Sequence, residues 1–331
     1  MATESEDLLA SGGEALNVGD WSAARSAFEA ALEQEETAEA LFGLGDALWW
    51  LGEIEPAVRC RERAYAAFRR RPDPVQAAIV AMRLCLTYRA NLGSRAASRG
   101  WLRRAARMVE DFELDALRGW VALMRANDAE DPVVGERLAR EAHAFARESG
   151  DADLELCALS EIGAWLVELG RVAEGVALLD EAMAASLGGE GGSLNTVVYT
   201  SCHTIISCSR AADFERAAQW FRAIDGFSGR YGCPLLYTMC RTLYAGVLFA
   251  DARGGGAPSR TPDVEHRRAR ALRRGAREAR RAAACAGQDR GDGTARFRLR
   301  GPPCRSTGGG RRLSRARRAG DSGIDRNPTA A

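Results

Sequence analysis

The 331-residue chain contains no lysine; all 46 of its basic residues are arginine. That absence excludes a Walker phosphate loop, a Schiff-base lysine and a kinase-type lysine together. Histidine is scarce, at 143, 203 and 266 only, and no Gly-x-Ser-x-Gly elbow or Cys-x-x-Cys pair occurs. Cys202, His203 and Cys208 are the nearest approach to a metal cluster. A helix brings ligands to one face at spacings of three or four, so two thiols six apart point away from each other. The run Gly188-Gly189-Glu190-Gly191-Gly192 lacks a dinucleotide-binding spacing and reads as a flexible loop. No catalytic residue, cofactor or metal is therefore expected. Apolar runs are short, well under the roughly 18 residues of a membrane span, and the acidic first 30 residues do not form a secretory leader. Nine cysteines lack a framework spacing, which fits a reducing cytoplasm.

The net charge of +1 hides two unlike parts. Residues 1–252 hold 25 Arg and 38 acidic residues, and residues 253–331 hold 21 Arg and 7 acidic residues, giving −13 and +14. All seven Trp lie in the first part; the second has only a handful of large apolar side chains, among them Leu272, Phe297 and Ile324. Composition thus predicts a folded body over 1–252 and a disordered Arg- and Gly-rich tail over 253–331. The abrupt change suggests that the tail is a frameshifted reading of further repeats in GC-rich DNA; a genuine basic extension is the alternative. Its arginines would attract phosphate without sequence preference, but Phe297 alone gives no stacking platform, so nucleic-acid binding is a lesser reading.

What the body does have is periodic. Gly19-Asp20-Trp21 precedes Ala24, Phe28 and Ala31; Gly52-Glu53-Ile54 precedes Ala57 and Ala64; Gly170-Arg171-Val172 precedes Gly175, Leu179 and Ala182. Leu41, Leu44, Gly45 and Leu48 lead into the second copy, and Leu159, Ile162, Gly163 and Leu166 into the third. Each glycine falls where a first helix, A, must close in the left-handed conformation. The small residues lie on one stripe of a second helix, B, and admit large side chains from helix A. Weaker copies run through Gly93, Ser98 and Ala105; through Trp120, Gly135 and Ala142; and from Val197 through Asp213 to Ile224. A seventh helix A is expected over Thr242–Phe249, its partner unrecognisable.

This pattern resembles the tetratricopeptide repeat. The resemblance implies an all-α solenoid of six to seven helical hairpins, a right-handed superhelix, whose A helices line a groove for a protein or peptide partner. By register, Phe42, Asp46 and Trp49 of the second unit, Tyr199, His203 and Arg210 of the sixth, and Tyr244 of the seventh are expected to face that groove. Trp and Tyr anchor partners well, because they bury much area with few rotatable bonds. Trp50, Trp101, Trp120 and Trp165 are expected in the core, and His143 on the surface. With no partner helix after it, the seventh helix A would leave Leu243, Tyr244, Val247 and Leu248 exposed and promote self-association.

Residues 19–32, 39–52, 61–65, 170–185 and 213–221, continued by Cys233-Pro234-Leu235-Leu236, further resemble the repeat region of actinobacterial LuxR-type transcriptional regulators. That resemblance implies a sensor or interaction role, with a link to DNA through a helix-turn-helix. Residues 253–331 show no apolar pattern for such a domain, so direct sequence-specific DNA binding is not expected of this chain. The rival expectation is a stand-alone adaptor between proteins.

Overall fold

The computed structural model describes residues 2–234, 236 and 238. The expected seventh helix, Tyr244 and the whole 253–331 segment lie outside these residues, as do the expectations attached to them. Among the described residues there are twelve helices: α1 (Ala2–Val18), α2 (Trp21–Gln34), α3 (Ala38–Trp50), α4 (Ile54–Arg70), α5 (Pro74–Ala90), α6 (Arg95–Asp111), α7 (Asp115–Asp128), α8 (Pro132–Ser149), α9 (Ala152–Glu168), α10 (Val172–Gly188), α11 (Leu194–Arg210) and α12 (Phe214–Tyr231). They form six consecutive helical hairpins, odd-numbered helices in the A position and even-numbered ones in the B position. This is the all-α repeat architecture that the periodicity predicts.

The hairpin turns repeat down to the hydrogen bond. Gly19, Gly52 and Gly170 take φ near +80°. The amide of the next residue then donates five residues back, Asp20 to Ala15, Glu53 to Leu48 and Arg171 to Leu166, each at 2.9 Å. This is the left-handed closure that satisfies the last carbonyls of helix A. The sixth unit makes the same turn with Ala212 at φ +54°, and Asp213 donates to Cys208 at 2.9 Å. Asp20 and Asp213 then cap helix B, accepting from the amides of Ala23 and Arg216. Glu53 stands at the same position without capping; its carboxylate takes a hydrogen bond from Arg25 instead.

Small residues set how closely the helices approach. A Cβ on Gly163 would lie 2.7 Å from the carbonyl oxygen of Gly175, and one on Gly175 would lie 2.6 Å from that of Gly163. The α9–α10 pair is therefore in backbone contact. In the first unit Phe28 of α2, buried, packs its ring against Gly12 of α1 and Gly43 of α3. Ala24, Ala31, Ala57, Ala64, Ala139, Ala142 and Ala182 are all buried on their B helices, as the seven-residue spacing predicts.

The stack curves until its ends meet. Trp21 stacks on Trp50, ring centroids 4.3 Å apart and planes within 5°. The Trp21 indole N–H donates to the carbonyl of Tyr231, at the end of α12. Gly52 faces Pro234, and Leu236, fully buried, joins the same apolar cluster as Trp21, Trp50, Val197 and Ile205. The first two hairpins thus pack against the last, and the A helices enclose an inner face.

Candidate functional site

That inner face holds a cavity of about 720 Å³. Its walls come from α3, α5, α7, α9 and α11, with Arg61 reaching in from α4 and Arg95 from the start of α6. The contribution of α5 is a helical stripe: Arg83, Leu86, Thr87, Ala90 and Asn91 stand at i, i+3, i+4, i+7 and i+8.

Two polar ladders cross successive A helices. In the first, Arg61 donates Nη2 to Asp46 on α3 at 2.6 Å and Nη1 to Thr87 on α5 at 2.7 Å. Arg61 is only 3% exposed. Burial lowers its pKa and the neighbouring charge of Arg83 adds to that, while Asp46 opposes it. Nearby, the Trp49 indole donates to Asn91 Oδ1 at 3.1 Å, tying the end of α3 to the end of α5.

In the second ladder Glu161 of α9 is the hub. It accepts from Tyr199 Oη at 2.6 Å and Asn127 Nδ2 at 3.2 Å, and lies 2.9 Å from His203 Nε2. The other ring nitrogen, Nδ1, lies 3.0 Å from the Tyr199 carbonyl. Asn127 Nδ2 lies farther off, 3.4 Å from Nε2; the shorter contact of each ring nitrogen is to an acceptor, which favours the imidazolium. Burial by itself would lower the His203 pKa; the charge and hydrogen bond of Glu161 and the carbonyl of Tyr199 overcome it and raise the value. Burial likewise pushes Glu161 up, and His203, Tyr199 and Asn127 together bring it below the ordinary value. Burial and Glu161 hold the Tyr199 phenol well above its own.

The rim is salt-bridged. Arg89 and Arg99 converge on Asp128 at 3.1 and 2.8 Å, Arg95 and Arg99 on Glu130, and Arg210 pairs with Glu168. Within the wall, however, four buried polar atoms have no partner among the described residues: Arg61 Nε, Asn91 Nδ2, Trp165 Nε1 and Ser207 Oγ. Each such atom carries a desolvation penalty of about 1–3 kcal/mol.

Of the residues that register assigns to the groove, Trp49, Tyr199, His203 and Arg210 line this one cavity. Asp46 reaches it through Arg61. Phe42 does not line it; one turn before Asp46, it packs on the apolar cluster around Leu41, Tyr65 and Phe68. Trp165, expected in the core, is half-buried instead, with its ring against Gly135 and also in the cavity wall. Trp50 is buried as expected. Periodicity gave no notice of Arg61, one arginine among five on α4, or of Asn91, Asn127 and Glu161. Arg83 did leave a signal: it is the only charge between Pro74 and Tyr88, in an otherwise apolar or neutral helix.

Among the described residues no helix is long and apolar enough to cross a membrane. No protein-family model matches the chain, and no curated protein does so. Among solved structures it is similar to the crystal structure of a Rap protein complexed with competence and sporulation factor. That match has 12% sequence identity and a TM-score of 0.47, over 73% of each chain.

Proposed function

We propose that this helical-repeat scaffold binds a partner or effector on its inner face, and that it is the sensing or interaction part of a LuxR-type transcriptional regulator. The observation that carries the binding role is the convergence of Trp49, Tyr199, His203 and Arg210, from the A helices α3 and α11 of two distant repeats, on one cavity. Solenoids use such inner faces for binding because successive repeats supply adjacent strips of one surface. The regulator role rests on the sequence resemblance of residues 19–32, 39–52, 170–185 and 213–221. Catalysis is not part of this reading. His203, the imidazole in the cavity, has both nitrogens engaged by Glu161 and by the Tyr199 carbonyl, so it has no free lone pair for a general base.

Two experiments divide the reading. A photo-crosslinking residue at Leu86 or Ile206, in the cavity wall, should yield a discrete product in the native cell, and one at Arg103, exposed on α6, should not. Equal yields from both faces would refute binding on the inner face. Resequencing the gene across codons 240–270 and translating all frames downstream tests the regulator role. A frame that restores repeats and then a helix-turn-helix supports it; an uninterrupted frame favours the adaptor.

A further inference from the structure

The cavity wall has more donors than acceptors, and the excess centres on one arginine. Arg61, Arg89, Arg95 and Arg210 each have a carboxylate partner, as does His203. Arg83 has none among the described residues, although it is half-buried and lines the cavity. Its charge also bears on Arg61, the buried guanidinium across the α4–α5 boundary. A half-buried guanidinium with no carboxylate among the described residues, beside a second guanidinium, favours an acceptor that carries negative charge. The rest of the wall is apolar and partly flat: Leu86, Ala90, Val198 and Ile206, with the indoles of Trp49 and Trp165. A volume of about 720 Å³ suits a small molecule better than a folded domain.

We propose that the cavity takes a small organic anion, a flat apolar body carrying a carboxylate or phosphate that pairs with Arg83. This rests on the reading of the inner face as a binding surface. Neutral or cationic ligands are disfavoured, since they would desolvate Arg83 without giving it a partner. Because Arg83 has no carboxylate partner among the described residues, its removal strands none of them, so variants at this position should fold.

Two fluorescent probes separate charge from shape. 8-Anilinonaphthalene-1-sulfonate carries a fixed anion, and N-phenyl-1-naphthylamine has the same rings without it. With the full chain, the sulfonate probe should bind at one site and more tightly than the amine. Arg83→Gln should weaken the sulfonate probe about tenfold or more, in line with loss of a partly buried charge-assisted contact, and leave the amine unchanged. Arg83→Lys should retain most of the affinity, and Arg103→Gln, on the outer face, should change neither probe. Displacement by benzoate or by phenyl phosphate then distinguishes the carboxylate from the phosphate. If both probes bind at one site with equal affinity and Arg83→Gln has no effect, the anion assignment is overturned and the inner-face reading stands. If neither probe binds, both fall.

Discussion

His203 on α11 and Glu161 on α9 meet at 2.9 Å beneath the cavity, and each is held by a second contact: the Tyr199 carbonyl for the imidazole and the Tyr199 hydroxyl for the carboxylate. The pair fastens the fifth repeat to the sixth, and Asn127 extends it to the fourth. Arg89 faces it from α5 and slightly opposes the imidazolium.

This pair makes stability depend on pH in a fixed direction. His203 is raised above its ordinary 6.5, so its contribution is full below that value and lost as pH rises through the folded pKa. Glu161 is held below its ordinary 4.5, so its contribution is present above that value and lost as pH falls through the folded one. Urea denaturation should show stability falling as pH rises above the ordinary 6.5, and His203→Gln should flatten that slope. Glu161→Gln, which strips the buried imidazolium of its partner, should cost about 3 kcal/mol. An unchanged slope in His203→Gln would count against the pairing.

Ala212 occupies a turn that three other units build with glycine, and it does so at φ +54°. Ala212→Gly should raise stability by about 1 kcal/mol, because the left-handed conformation then costs nothing sterically. A destabilised variant in chemical denaturation would mean that the sixth turn differs from the rest.

Glycines inside helices should split by what surrounds them. Gly163→Ala forces a methyl to within 2.7 Å of a backbone carbonyl and should cost about 1–3 kcal/mol. Gly100, in α6, has nothing within 4 Å of where a Cβ would stand. Gly100→Ala should therefore stabilise by about 0.5–1 kcal/mol. Equal shifts in thermal unfolding for the two variants would contradict the close approach of α9 and α10.

The joining of the two ends rests on Trp21. Trp21→Ala removes the stack on Trp50 and the hydrogen bond to Tyr231, and should cost about 3–5 kcal/mol. Near-UV circular dichroism of the variant should lose the signal of the stacked indoles. A loss confined to about 1 kcal/mol would indicate ends that do not pack on each other.

Local chemistry made the fold readable in the sequence. Gly19, Gly52, Gly93 and Gly170 announce left-handed closures, and Ala24, Ala31, Ala57 and Ala64 announce close helix contacts, without regard to distant parts of the chain. The cavity was harder, because its residues meet only through curvature. Register sufficed to direct Trp49, Tyr199, His203 and Arg210 inward, yet a rotation of one residue separates Phe42, in the apolar cluster, from the groove. Arg61 and Glu161 were hidden because a charged residue on a helix ordinarily faces water, and only tertiary packing tells which of several is buried. The contact of Trp21 with Tyr231, 210 positions apart, has no local trace.

Methyl NMR on the full chain, labelled at Leu, Ile and Val and titrated with 8-anilinonaphthalene-1-sulfonate, tests the inner-face binding site most directly. The account predicts shifts concentrated at Leu86, Val198 and Ile206 in the cavity wall, with Val18, Val133 and Val172, exposed elsewhere, unmoved. Shifts at the exposed valines with silent cavity methyls would contradict it.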